Sequence, residues 1–110
     1  MQNFSCFVFV SGQIPLDPDT GELISSGIEE ETVRVLDNIK AVLAAAQLGM
    51  DDIVKTTIYL TDLGNFARVN EVYDGYFTIE PPARATVGVA ALPRGVRVEI
   101  EAIAAAKITG

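Results

Sequence analysis

A chain of 110 residues predicts one domain, residues 1–110, with a hydrophobic core of modest size. Its formal net charge of −7 argues against nucleic acid and against anionic membranes as partners, because phosphate groups bind to basic surfaces. The sequence has no histidine, which excludes Ser-His and Cys-His dyads and the usual zinc ligand sets, and its single cysteine, Cys6, excludes an intramolecular disulfide and suits a cytoplasmic protein.

The N-terminal segment predicts a strand followed by a turn. Residues Phe4–Ser11 are nearly all apolar or aromatic, a pattern typical of a strand that is buried on both faces. The apolar run is too short to span a membrane, and no basic leader precedes it as in a secretory signal. Asp17–Gly21 is rich in turn-forming residues, and 22–24 can form a short returning strand.

An apolar stripe with helical spacing predicts the first helix. Its members are Ile28, Val35, Leu36, Ile39, Val42, Leu43 and Ala46. Ser25 or Ser26 can cap the start of this helix, and Gly49 is placed to end it in a left-handed turn. Glu29–Glu31 suit the positive end of the helix dipole, so we interpret them as a solvated helix start rather than as a metal or partner site.

The central segment predicts a second strand and a second helix. The strand covers Ile53–Leu60, where apolar and polar residues alternate. One face of this strand carries Val54, Thr56, Ile58 and Leu60, and the other carries Lys55, Thr57, Tyr59 and Thr61. The helix covers 66–77, with inward positions at Phe66, Val69, Tyr73, Tyr76 and Phe77. Pro81 and Pro82 end the helical region.

Two strands joined by a tight return are predicted at 82–89 and 96–102. Their apolar residues recur with a period of two, and the meeting of apolar faces sets Val87 opposite Val98. In this register the opposite face is shared by Arg84, Thr86, Glu99 and Glu101. A guanidinium beside a carboxylate can hold a small anion and a water molecule. A cross-strand ion pair between the arginine and either glutamate is the more common arrangement and stays open as the alternative.

This order of elements predicts an α+β fold in which two helices cover one face of a sheet. The other face presents Tyr59, Ile103 and either Phe7 and Phe9 or their alternating neighbours. An apolar patch of this kind is expected to be buried by another subunit, so the layering predicts a homo-oligomer.

Several motifs spread over the whole chain resemble the signature of the reactive intermediate deaminases, the RidA or YjgF-type proteins. The motifs are Ser11–Pro18 with Thr20–Glu22, Asp37–Leu43, Val54–Leu63, Phe66–Tyr73, Pro82–Arg84 and Leu92–Ala104. The resemblance implies a chorismate-mutase-like mixed sheet and a homotrimer whose sites lie in clefts between subunits. It also implies hydrolysis of 2-imino acids and their enamine tautomers to 2-oxo acids and ammonia, with no metal or organic cofactor.

The resemblance assigns roles to five positions of this sequence. Arg84 would bind the substrate carboxylate through its planar two-donor fork. Glu99 would orient and deprotonate the water that attacks the imine carbon. Gly12 would allow the backbone to approach the ligand closely, Asn70 would line the cleft, and Thr86 would offer backbone contacts to the substrate.

The sequence departs from the family pattern in two places. The family has a further strand before the segment that starts at Phe4, with a Gly-Pro-Tyr motif whose tyrosine reaches the site, and we expect this strand to be missing here. Thr86 stands where a cysteine is common, from which we expect altered ligand preference rather than abolished hydrolysis.

Two other functions compete with imine hydrolysis. The first is that of a non-catalytic trimer that binds small carboxylates, such as 2-oxo acids, in regulation or stress protection. Such a protein would keep Arg84 and could dispense with Glu99, so the presence of both residues favours the deaminase. The second is RNA cleavage, an activity attached to some relatives, which the charge of −7 and the lack of histidine disfavour.

Overall fold

The computed structural model describes residues 4–107, in which two helices cover one face of a four-stranded mixed sheet. Its strands and helices are β1 (Phe4–Gln13), α1 (Ile28–Ala45), β2 (Ile53–Leu60), α2 (Phe66–Asp74), β3 (Ala83–Gly88) and β4 (Val98–Lys107). The predicted α+β class and element order are confirmed, except that the short strand at 22–24 is reduced to one bridge between Leu16 and Leu23. Within the described residues, neither helix combines the length and the apolar character needed to cross a bilayer.

The strand order β1-β4-β2-β3 differs from the predicted hairpin. β4 runs antiparallel to both β1 and β2, whereas β3 lies at the outer edge and runs parallel to β2. Val87 therefore pairs with Tyr59, and Val98 pairs with Leu60, so the predicted pairing of Val87 with Val98 is wrong. A period-two pattern determines which residues share a face but does not determine which strand lies alongside.

The core lies between the helices and the sheet. Its most deeply buried apolar side chains are Ile28, Val35, Leu36, Ile39, Leu43, Ile58, Leu60, Val69, Tyr73, Val98 and Ile100. Each such side chain contributes about 1.5–3 kcal/mol through removal from water. On β2 a register shift lies between Ile53 and Lys55, and Ile53 is buried whereas Val54 is 42% exposed. Val54 therefore does not share the buried face of Thr56, Ile58 and Leu60, as the alternation predicts.

Both ends of α1 differ from the prediction. The residue at the N-cap is Gly27 and no side chain caps the helix, so the predicted role of Ser25 or Ser26 is wrong. After the helix, Gln47 takes the left-handed conformation, with φ of 62°. Gly49 has φ of −127° and instead begins a short 3-10 helix, Met50–Asp52.

The second helix is shorter than predicted and ends at Asp74 rather than at residue 77. Val69, Tyr73 and Phe77 are buried as predicted. Phe66 is 42% exposed, so its predicted inward position is wrong.

The face of the sheet opposite the helices is open and partly apolar. Phe7 is 56% exposed and Phe9 is 74% exposed, so within one chain the prediction that the first strand is buried on both faces is wrong. Ile103 pairs with Phe9 and lies on the same face. The predicted apolar face is therefore confirmed. The homo-oligomer that we expect to cover it remains a prediction.

Candidate active site

Arg84 lies at the outer edge of the sheet, on the side of the helices. Its carbon Cζ lies 4.9 Å from the centroid of the Tyr73 ring, in cation–π geometry. Its Nη1 donates a hydrogen bond to Oδ1 of Asn70 and lies 3.6 Å from Oδ1 of Asp74. The spacing of 70, 73 and 74 places these three side chains on one face of α2. The helix therefore holds the guanidinium in place while 29% of the Arg84 side chain stays exposed.

Tyr73 links this arginine to the core. Its hydroxyl lies 2.6 Å from Oγ1 of Thr56, which pairs with Arg84 in the parallel β2–β3 ladder. Burial raises the pKa of Tyr73, so the phenol is neutral at physiological pH. The predicted core position of Tyr73 is confirmed. Its contact with the guanidinium was not predicted.

Glu99 lies on the open face of the sheet and packs against Gly12. A Cβ atom placed on Gly12 would lie 2.7 Å from Cδ of Glu99, closer than real Cβ atoms approach their neighbours. Gly12 lies in the irregular end of β1, where the register with β4 shifts between Val10 and Gln13. Only a residue without a side chain allows the strand to approach the carboxylate this closely.

Two further polar groups lie beside Glu99 on the open face. Tyr59 pairs with Glu99 in the β2–β4 ladder, and its hydroxyl donates a hydrogen bond of 2.5 Å to Oε1 of Glu101. This hydrogen bond raises the pKa of Tyr59. A recess of about 230 Å³ adjoins Glu101 and is also lined by Phe9, Ser11, Lys55, Thr57 and Ile103.

Within one chain Arg84 and Glu99 point to opposite faces of the sheet. Arg84 shares the helix side with its ladder neighbour Thr56, which is buried. Glu99 alternates with the buried Val98 and Ile100 and therefore points the other way. The predicted shared face of Arg84, Thr86, Glu99 and Glu101 is wrong, because Thr56 of the intervening β2 pairs with Arg84 on one side and with Ala102 on the other, which puts Arg84 on the face of Ala102. The alternative ion pair is also wrong, since the carboxylate nearest Arg84 is that of Asp74.

The predicted site residues thus form two groups. The first, the arginine group, consists of Arg84, Asn70 and Thr86, where Thr86 lies two positions after Arg84 on the same face of β3. The second, the glutamate group, consists of Glu99 and Gly12. Each group is well defined, but one chain does not bring the two together.

Glu31 is a buried carboxylate that the sequence interpretation placed in solvent. Its side chain is 4% exposed and accepts two hydrogen bonds from Arg97, one of them 3.2 Å long from Nε. These hydrogen bonds raise the pKa of Arg97. The prediction of a solvated helix start is therefore wrong for Glu31. Arg97 directly precedes β4, the strand that carries Glu99. The ion pair therefore connects the start of this strand to α1.

Asn38 holds the loop that follows Gly12. Its Nδ2 donates hydrogen bonds to the carbonyl oxygens of Ile14, at 3.2 Å, and Leu16, at 2.8 Å. The signal in the sequence for this contact is the position of Asn38 next to the apolar stripe of α1, because a buried amide needs hydrogen-bond partners.

The arginine group offers a guanidinium beside the phenol of Tyr73, and the glutamate group offers a carboxylate beside Tyr59. These functional groups suit anion binding and proton transfer. In the part of the chain that the structure describes, no three Cys, Asp or Glu side chains come together as they would around a metal ion.

Residues 3–106 match the protein family described as endoribonuclease L-PSP. Protein DfrA of Myxococcus xanthus is 62% identical over 96 residues, which are 87% of this chain and 73% of DfrA. The 2-iminobutanoate/2-iminopropanoate deaminase of Mus musculus is 50% identical over 97 residues, which are 88% of this chain and 72% of the deaminase. The crystal structure of E. coli TdcF with bound serine matches with a TM-score of 0.87 at 43% identity, over 94% of this chain and 83% of TdcF. The chain therefore belongs to the endoribonuclease L-PSP family, that of the RidA and YjgF-type proteins whose motifs it carries.

Proposed function

We propose that this protein hydrolyses reactive 2-imino acids and their enamine tautomers, such as 2-iminobutanoate and 2-iminopropanoate, to 2-oxo acids and ammonia. The observation that carries the proposal is the Arg84 guanidinium, which α2 holds in place at a partly exposed edge. A guanidinium held in this way suits a small carboxylate. The mouse relative's name and the serine bound to TdcF support the same class of ligand.

In this proposal Arg84 binds the substrate carboxylate and Glu99 accepts a proton from the attacking water. The water oxygen forms a bond to the imine carbon, and the proton that leaves the water reaches the imine nitrogen. The nitrogen of the resulting carbinolamine then takes up the proton of the new hydroxyl group as the C–N bond breaks, so that ammonia leaves and the hydroxyl oxygen becomes the carbonyl oxygen of the 2-oxo acid. A protonated imine is already electrophilic, so orientation of the water and the substrate supplies much of the barrier reduction.

A complete site in this proposal requires two copies of the chain, because Arg84 and Glu99 face opposite sides of one sheet. One copy supplies the arginine group, with Asn70 and Thr86. The neighbouring copy supplies Glu99, with Gly12 close beside it. The open face with Phe7 and Phe9 is a suitable contact surface between the copies, because more than half of each side chain is exposed in one chain and a neighbouring copy would remove that apolar surface from water. We propose the homotrimer that the family resemblance implies, acting in the cytoplasm.

Turnover of a freshly generated imine tests the proposed function. A serine/threonine dehydratase supplies the imine, and ammonia release is followed with the parent, Arg84→Ala and Glu99→Ala. We expect the parent to accelerate ammonia release and both variants to lose most of this effect. A parent that binds 2-oxobutanoate through Arg84 but leaves imine decay unchanged would overturn the deaminase and support the small-carboxylate binding protein.

A further inference from the structure

We infer that the Asp74 carboxylate, close to Nη1 of Arg84, partly neutralises the guanidinium and repels a carboxylate bound to its free edge, and thereby lowers the affinity of the site for small carboxylates. The inference rests on the proposed function, since it concerns the same guanidinium. It identifies Asp74 as a residue that lowers affinity, although Asp74 does not take part in the chemistry.

The geometry around Nη1 of Arg84 is that of a loosely held pair. Oδ1 of Asp74 lies 3.6 Å from Nη1, whereas charge-assisted hydrogen bonds of this kind are about 2.7–2.9 Å long. Asn70 lies between the two groups. It accepts a hydrogen bond from Nη1 through Oδ1 and donates one of 3.4 Å from Nδ2 to Oδ2 of Asp74. The amide therefore keeps the carboxylate near the guanidinium without a tight contact between the two charges.

The free edge of the guanidinium lies away from these contacts. Among residues 6–106, the polar contacts of Arg84 all use Nη1, and the Tyr73 ring covers one face of the guanidinium. The edge formed by Nε and Nη2 has two parallel N–H donors, which match the two oxygens of a carboxylate. A substrate that binds there makes a stronger contact with Arg84 than Asp74 makes at 3.6 Å.

Asp74 is placed so that it can release the guanidinium at low cost. Its side chain is 63% exposed, so a small rotation hydrates the carboxylate. It is also the last residue of α2, where the partial negative charge of the helix terminus disfavours a carboxylate. The group therefore opposes carboxylate binding only weakly. It lowers the affinity for a monocarboxylate without closing the site.

The inference predicts tighter carboxylate binding when the charge of Asp74 is removed. Exposed ion pairs of this kind are weak, so Asp74→Asn should lower the Kd for 2-oxobutanoate by about two- to fivefold. Glu71→Gln is the matched control, because Glu71 is an exposed carboxylate on the same helix with no contact to Arg84 among the described residues. The neutral ligand 2-oxobutanamide is a second control. The charge of Asp74 does not repel it, so a change in its Kd in Asp74→Asn would indicate a change in the shape of the cleft.

NMR titration of the parent, Asp74→Asn, Glu71→Gln and Arg84→Ala with both ligands tests the inference. We expect tighter 2-oxobutanoate binding in Asp74→Asn alone, with 2-oxobutanamide unchanged in that variant. An unchanged or weaker affinity in Asp74→Asn, an equal gain in Glu71→Gln, or the same gain with the amide would overturn the inference. If Arg84→Ala abolishes binding while Asp74→Asn has no effect, only the inference fails. If Arg84→Ala binds 2-oxobutanoate as the parent does, the carboxylate role of Arg84 fails as well.

Discussion

The carboxylate of Glu99 packs against the backbone of Gly12, in space that the Cβ of any other residue would need. The contact joins the irregular end of β1 to the start of β4. It restricts where the proposed general base can lie. Gly12 therefore helps to determine the position of the Glu99 carboxylate, although the two residues are more than 80 positions apart in the sequence.

Replacement of Gly12 by alanine should displace the Glu99 carboxylate. Because a displacement of about 1 Å can cost a factor of about 100 in rate, Gly12→Ala is expected to lower kcat for imine hydrolysis by about 10- to 100-fold. The control is Gly49→Ala, since a Cβ there meets nothing within 4 Å and φ is −127°. An unchanged kcat in Gly12→Ala would contradict the role of this contact.

Replacement of Arg84 by lysine should keep the charge but remove the two-donor fork. Hydrogen bonds to charged groups contribute about 1.5–3 kcal/mol, so Arg84→Lys is expected to raise KM for the imine, and Kd for 2-oxobutanoate, by about 10- to 100-fold. Arg68→Lys is the control, because Arg68 forms an exposed pair with Glu29 on the surface. Equal affinity in Arg84→Lys and the parent would argue against bidentate recognition.

Loss of Arg97 should destabilise the fold, because it leaves the Glu31 carboxylate buried without its partner. The Glu31 side chain is 4% exposed, and an unsatisfied buried group costs about 1–3 kcal/mol. The free energy of unfolding in urea should therefore fall by about that amount in Arg97→Ala. Arg68→Ala removes a pair whose side chains are 60% and 44% exposed and should cost less than about 1 kcal/mol. Equal losses in the two variants would refute the prediction.

The free energy of unfolding should fall at alkaline pH because the tyrosines ionise. The sequence has three tyrosines, and the fold raises the pKa of each. The hydrogen bond to Glu101 is the main cause for Tyr59, and burial is the main cause for Tyr73. Burial and the hydrogen bond to Asp37 raise the pKa of Tyr76 to about 12. The folded state thus holds these protons more tightly than the unfolded state, where the pKa is about 10. The stabilisation is complete below about pH 10 and is lost as the pH rises toward the folded pKa values.

Phenolate absorbance and urea unfolding between pH 9 and 12 measure this effect. The folded protein should ionise its tyrosines at higher pH than the same protein in urea, and Tyr76→Phe should reduce the loss of stability above pH 10. A folded protein whose three tyrosines all ionise near pH 10 would contradict the prediction.

Local patterns in the sequence predict most helices and strands well, but they predict poorly which strands pair with each other. The alternation over Ile53–Leu60 matches β2 to the residue, since a strand of this length is a local property. The partner of Val87 depends on the parallel course of β3 beside β2, which no local pattern encodes. Glu31 was misplaced for a similar reason, because its partner Arg97 lies 66 positions away.

The arrangement of the candidate site residues could not be predicted from the sequence. Arg84, Asn70, Gly12 and Glu99 came from motifs, and the structure does group Arg84 with Asn70 and Gly12 with Glu99. The contacts of Tyr73 and Asp74 with the guanidinium depend on how α2 is rotated relative to the edge strand. Helical spacing alone does not determine this rotation.

Subunit complementation tests most directly the claim that the site combines the arginine group of one chain with the glutamate group of another. Arg84→Ala and Glu99→Gln are each expected to be nearly inactive. When equal amounts are unfolded together and refolded into mixed trimers, about one quarter of the sites should pair an intact Arg84 with an intact Glu99 and recover about one quarter of the parent activity. Assembly into mixed trimers that contain both variants, with no recovery of ammonia release, would contradict the claim.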